Sequence, residues 1–308
     1  MIKSIGPVAT LVIMGAAWGG TIPLAKIAVS GGYQHFGLIF WQLVITGFVL
    51  GALTCLRGKR LKLGAPHLGL YLAIALLGTI LPNSASYQAA AHLPAGVVSI
   101  LISLVPMFAF PIALALGNDR FHWLRFIGLV MGLIGVVLIV WPDSSLPDRT
   151  VVPWIFVGMI APLFYAFEGN YVARWGTLDL DPIQTLFGAS VVGAGIALPL
   201  AIGSGQWINP LGTWGAPDWA LVASAILHAF AYSTYVWLVG RAGSVFAAQV
   251  AYFVTLFGIV WAMLFLGEVY GHWIWGALGL ILLGVFFVQP RRTTKVVDAG
   301  RLGQSAAD

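Results

Sequence analysis

The chain has 308 residues, 60% of them hydrophobic and 8% charged, with a formal net charge of +5 and a single cysteine. A soluble domain carries about 25% charged residues, so this chain has too few to cover a water-facing surface, and Cys55 alone excludes an intrachain disulfide. The basic residues lie in short connections and the tail rather than in one patch, which excludes a nucleic-acid partner and points to a polytopic membrane protein.

Apolar stretches close to the about 20 residues that cross a bilayer repeat from end to end. Turn residues and charges predict ten spans, at 7–28, 35–56, 67–91, 94–116, 123–141, 152–174, 182–203, 217–240, 243–266 and 271–289. Lys3 before an apolar run has the look of a signal peptide, but no A-x-A-like site follows, and the first stretch is read as a retained helix.

In span one, Trp18 precedes Gly19 and Gly20; an indole offers a face to a cation or a ring, and glycine allows close approach. The alternative is a packed Trp at a tight crossing. Span three carries Pro82, Asn83, Ser86 and Tyr87; Asn83 and Tyr87 are four apart and share a face, and Pro82 loosens the backbone beside them. Pro106 and Pro111 in span four read as kinks. Span six holds Glu168 in "LFYAFEGNYVARW". A carboxylate deep in a span costs about 2.5–3.5 kcal/mol on insertion scales, so it faces a bundle interior or a wet cavity. It either binds a substrate ammonium or carries a proton, or it hydrogen-bonds a neighbouring helix. Span eight sets His228, Tyr232 and Tyr235 on one stripe at spacings of four and three, and span nine adds Gln249 and Tyr252 three apart. The alternative for these polar groups is bonding between helices. His92, at a span end, reads as a cap or loop residue, and Glu268 as an orienting or gating group. The G-x-x-x-G motifs at 47–51 and 128–132 are close-packing signals that do not by themselves set an oligomeric state.

With the spans alternating, thirteen of the fifteen Lys and Arg residues fall on one side, leaving Lys26 and Arg149 on the other. The positive-inside rule places both termini in the cytoplasm. The sequence also matches itself across its midpoint. "LGNDRFHW" (116–123) aligns with "LGEVYGHW" (266–273), and Trp18-Gly19-Gly20 with Glu168-Gly169-Asn170, both at an offset of 150, while Tyr87 meets Tyr235 and Val97 meets Val245 at 148. Two units of five spans, 1–142 and 150–290, with a polar tail at 291–308, are predicted. An odd number of spans inverts the second unit, an architecture recurrent in secondary transporters. The fold class is all-α: ten membrane helices as two inverted five-helix repeats.

"WGGTIPLAK" in span one, "AGVVSILISLVPMF" in span four, "LGE" closing span nine and the glycine-rich fifth and tenth spans resemble the drug/metabolite transporter superfamily, of the ten-helix EamA type, over residues 5–290. Gln42 departs from that resemblance, standing where the family often has a basic residue, as does "LGND" where it prefers "LGE". The resemblance implies a carrier in the bacterial inner membrane that exports amino acids or related metabolites by alternating access. The expected partners are a small-molecule substrate, a proton as candidate coupling ion and the lipid bilayer, with no cofactor. The expected substrate site is Glu168, Trp18, Asn83, Tyr87, His228, Tyr232, Tyr235, Gln249 and Tyr252. No Arg or Lys sits deep in a span, which disfavours strongly anionic substrates; a cationic drug is the competing substrate class. His residues without metal-ligand spacing and the absence of a G-x-S-x-G frame argue against an enzyme.

Overall fold

The computed structural model describes residues 6–141, 148–242 and 249–288. The predicted tail at 291–308 and Val245 of the repeat match lie outside these residues. Helices account for nearly all of the described chain: α1 (Pro7–Ser30), α2 (His35–Leu56), α3 (Ala65–Ala75), α4 (Leu81–His92), α5 (Ala95–Ile102), α6 (Val105–Ala115), α7 (Trp123–Val140), α8 (Val152–Trp175), α9 (Pro182–Gly203), α10 (Ala216–Ala242), α11 (Val250–Leu266) and α12 (His272–Val288). No strand occurs among the described residues. Among the described residues, seven helical stretches are long and apolar enough to cross a membrane, and α11 and α12 are shorter apolar helices.

Two of the predicted spans are not single α-helices, and proline explains both. In the third, a π-helical turn at Leu76–Ile80 separates α3 from α4. Pro82 sits in the first turn of α4; its ring has no N–H for the carbonyl of Gly78 and clashes with it, so the chain widens by one residue there. In the fourth, α5 ends at Ile102 and α6 begins at Val105, with Pro106 in its first turn. The repeated "LG" pairs end helices alike: Gly117 and Gly267 adopt φ of +68° and +66°, a left-handed conformation that only glycine takes without strain.

Small residues set the helix contacts. Both G-x-x-x-G motifs are spent within the chain. A Cβ on Gly51 would strike the ring of Phe187, and Gly47 faces Ser190, bringing α2 onto α9. Gly128 and Gly284 meet backbone to backbone where α7 crosses α12. Gly19 lies so close to α11 that a Cβ would fall 2.7 Å from the Val254 carbonyl and 2.8 Å from the Gly258 amide. The main pairs are α1 with α10 and α11, α8 with α4 and α6, α2 with α9 and α10, α3 with α9, α5 with α11 and α7 with α12. In this pattern α1 stands to α10 and α11 as α8 stands to α4 and α6, and α2 stands to α9 and α10 as α9 stands to α2 and α3.

Charged residues staple the ends. Asp181 caps α9 by accepting from the Gln184 amide at 3.0 Å and pairs with Lys59 at 2.6 Å and Arg57 at 3.2 Å across from the α2–α3 connection. Burial alone would raise the Asp181 carboxyl, but Lys59, the Gln184 amide and Arg57 together hold it below the usual range. At the other end, Lys26 donates to the Ala90 and Leu93 carbonyls at 2.7 and 3.0 Å, closing the C-terminus of α4. Glu268 accepts from the Ala95 and Gly96 amides at 2.8 and 3.2 Å, closing the N-terminus of α5. Both charges have the sign that the adjoining helix dipole favours.

Candidate functional site

The interior of the bundle has two chemically different corners. In the first, α1 packs along α10 and presents Trp18 to the predicted stripe. The indole meets His228, Tyr232 and Tyr235 edge to face, with ring centroids 5.8, 6.3 and 6.2 Å apart. Spacings of four and three put the three rings on one helix face. Gly15 and Gly19 turn the opposite side of α1 onto α11, which leaves Trp18 to face α10. Such ring pairs are worth about 0.5–1.5 kcal/mol each beyond area burial.

In the second corner, the carboxyl group of Glu168 on α8 lies on Gly78, in the middle of the π turn; a Cβ there would collide with all three carboxyl atoms. Glu168 takes part in none of the hydrogen bonds or ion pairs among the described residues, the ion pairs being Asp181 with Arg57 and Lys59, and Asp119 with Arg125. One turn earlier, Tyr165 donates to the Asn83 Oδ1 at 2.7 Å. The Asn83 Nδ2 donates to the Gln42 Oε1 at 3.1 Å, and the Tyr87 hydroxyl donates to the same oxygen at 2.7 Å. Asn83 and Tyr87 do share a face, as predicted, and that face is engaged in a bonded chain linking α2, α4 and α8. The two corners adjoin, since α1 of the first contacts α4 of the second and α10 of the first contacts α2.

Two predicted residues have no described contact with this interior. Gln249 is exposed at the start of α11. Tyr252 packs against the core built around α5, α7 and α12, with a buried hydroxyl that has no partner among the described residues. Three participants were missed: Gly78, Gln42 and Tyr165. Glycine four residues before a proline was the signal for Gly78, and the departure at Gln42 was the signal for the polar chain.

Two cavities approach this interior from opposite ends. One, of about 300 Å³, opens where α1 meets α2 and α4 meets α5; Tyr33, His35, His92 and Trp154 line it, with Tyr87 in its wall. His92 ends α4, as predicted for a span-end residue, and stacks on Trp154 with centroids 3.6 Å apart. The Tyr33 hydroxyl donates to Asp218 at 2.5 Å. Burial first, then Asp218, pushes that hydroxyl up to about 12, so it stays a donor. The other cavity, of about 290 Å³, opens where α6 meets α7; Pro106, Phe110, Asp119, Arg125 and Asn170 line it, with Tyr165 in its wall. Tyr87 and Tyr165 are the two ends of the same hydrogen-bonded chain. Among the described residues no group of three or more His, Cys, Asp or Glu side chains could hold a metal.

Residues 6–141 and 152–289 each match the EamA-like transporter family. A search of curated proteins returned no match. Among 27 solved chains that match, one titled "Crystal structure of protein" aligns with a TM-score of 0.63 and 17% identity, covering 90% of this chain and 94% of that chain. At that identity the likeness extends to the fold.

Proposed function

The chain belongs to the EamA-like transporter family, and from that premise we propose that it is a secondary carrier exporting amino acids or related small metabolites across a bacterial inner membrane. Members of this family are membrane transporters rather than enzymes, which sets a small-molecule substrate and a bilayer as its surroundings. Ten spans, formed as two inverted units at 1–142 and 150–290, enclose the substrate near mid-membrane, and rocking of one unit against the other exposes it to each side in turn. Both termini and the α6–α7 end face the cytoplasm, by the bias of the basic loops.

The observation that carries this reading is Glu168. A carboxylate inside a span, unpaired among the described residues and set on a glycine in a widened turn, is a group kept for something that comes and goes. A substrate ammonium satisfies it, and the rings of Trp18, Tyr232 and Tyr235 receive an apolar or aromatic side chain. His228, Asn83 and Tyr87 supply polar groups around the same space. A proton on Glu168 in the unloaded state would couple flux to the proton gradient.

The same rings also favour a second reading, a cationic drug seated over Trp18 with Glu168 as its counter-ion. Flux in proteoliposomes tests both. The amino-acid reading expects transport of zwitterionic amino acids that Glu168→Ala abolishes and that responds to an imposed pH gradient. Transport of cationic dyes with no amino-acid flux would establish the second reading in its place.

A further inference from the structure

The two cavities are similar in volume, but one is uncharged and the other holds an ion pair. The one at the α4–α5 end is lined by aromatic and amide side chains and two histidines, with no acid, Lys or Arg. The one at the α6–α7 end carries a full ion pair: Asp119, in the turn after α6, bonds Arg125, in the first turn of α7. The Arg125 side chain is only 12% exposed and that of Asp119 31%, so both have been taken largely out of water to line this space. The guanidinium lies 5.6 Å above the Phe110 ring, which orients it across the cavity. Small residues make the room: Ala109, Ala113, Ala166 and Gly169 line the walls, and nothing lies within 4 Å of where a Cβ on Gly169 would be.

We propose that this cavity is a loading vestibule for an α-amino acid zwitterion, with the substrate carboxylate on the Arg125 guanidinium and its ammonium on the Asp119 carboxylate. The inference rests on the amino-acid reading above and adds a site to it. A guanidinium presents two parallel donors to a carboxylate, which a compact ammonium cannot do. Asp119 and Arg125 satisfy each other when the cavity is empty, so no lone charge is buried between cycles. A zwitterion exchanges one internal pair for two external ones and leaves the cavity neutral throughout. An amino amide or a hydroxy acid satisfies one partner and strands the other, and an unpaired buried charge is expensive. The pair therefore selects for zwitterions over molecules carrying either charge alone. Phe110, Val105 and Val288 give an apolar bed for the side chain, and a volume of about 290 Å³ suits a single amino acid rather than a drug-sized molecule. Tyr165 in the inner wall leads to Asn83 and to the Glu168 corner. The opposite cavity offers no such pair, so a zwitterion that reaches it is released.

The test is competition for efflux of a labelled amino acid from proteoliposomes, with the α6–α7 face inward. The competitors loaded inside are the unlabelled amino acid, its amide and its hydroxy acid. The wild type is expected to prefer the zwitterion over both analogues by about tenfold, the worth of one charge-assisted bond. Arg125→Gln loses the discrimination against the amide, and Asp119→Asn loses that against the hydroxy acid, each with a raised half-saturation concentration and a maximal rate close to wild type. The double exchange Asp119→Arg, Arg125→Asp keeps an ion pair and so guards against simple misfolding. Because it trades the ammonium and carboxylate positions while the side-chain bed stays, it shifts the preference from one enantiomer toward its mirror image. If the single variants slow all three competitors equally and the exchange keeps the wild-type enantiomer preference, the pair is only a structural clamp and the inference falls. A wild type that moves no amino acid would instead bring down the reading beneath it.

Discussion

Trp18 and Glu168 occupy the same step of two matching units, 150 residues apart, yet one is a neutral indole and the other a carboxylate. The helices around them pair in the same way: α1 lies against α10 as α8 lies against α4. What differs is the partner surface. Trp18 meets three rings on an unbroken helix, whereas Glu168 meets a glycine in a widened turn. The backbone pairing is alike around the two residues, and the side chains it brings to them are not. Under the proposed function, a molecule with an ammonium at one end and a ring or apolar group at the other would fit between such corners one way round.

The strongest break of this comparison is Glu168→Gln, which keeps the shape and removes the charge. Bonds to a charged group are worth about 1.5–3 kcal/mol, so flux at low substrate should fall about 10–100-fold. Wild-type flux in this variant would show that the carboxylate is not the distinguishing half of the pair. Gly78→Ala comes next. Its Cβ would collide with the Glu168 carboxyl group, forcing that side chain off the π turn without touching Trp18. The expected result is folded protein with flux reduced less than in Glu168→Gln, because the charge remains but points elsewhere. Trp18→Ala should raise the half-saturation concentration about tenfold through the loss of its ring contacts, and Trp18→Phe should recover most of that. If Trp18→Ala cost more than Glu168→Gln, the rings rather than the charge would dominate recognition.

The sequence reading went furthest where one helix alone decides the geometry. His228, Tyr232 and Tyr235 are one stripe in any α-helix, and the structure finds all three on Trp18. It stopped where two helices decide together. Tyr165, Asn83 and Gln42 are bonded to each other from three helices, and no spacing within a span announces which will meet. Gln249 and Tyr252 show the same limit from the other side. Their shared face was legible, but which way it turns is set by Phe253 lodging against Gly15 of α1, which leaves Tyr252 facing the α5 core. Pro82 was read as a loosened backbone; that the loosening is a π turn with Gly78 at its centre followed only from the packed α8 beside it.

The smallest effect tests whether the asymmetry reaches the helix ends. At the step where the second unit has Glu268, the first has Asn118, again 150 residues apart. Glu268 holds two amides at the start of α5 and also accepts from the Tyr270 hydroxyl, while Lys26 closes the end of α4 one turn away. Asn118 instead makes one long bond of 3.3 Å to the Asn170 carbonyl. The α4–α5 turn is therefore clamped by charge on both sides, whereas the side-chain bond that the described residues give Asn118 is neutral. Loss of an N-terminal cap costs about 1 kcal/mol, so Glu268→Gln should lower thermal stability by a few degrees while leaving flux per folded molecule nearly unchanged. Asn118→Ala should cost less, because a single long bond contributes less than a charged cap. Equal losses in the two variants, read by thermal unfolding in the same detergent, would mean that both units are held alike and that the asymmetry is confined to the corners occupied by Trp18 and Glu168.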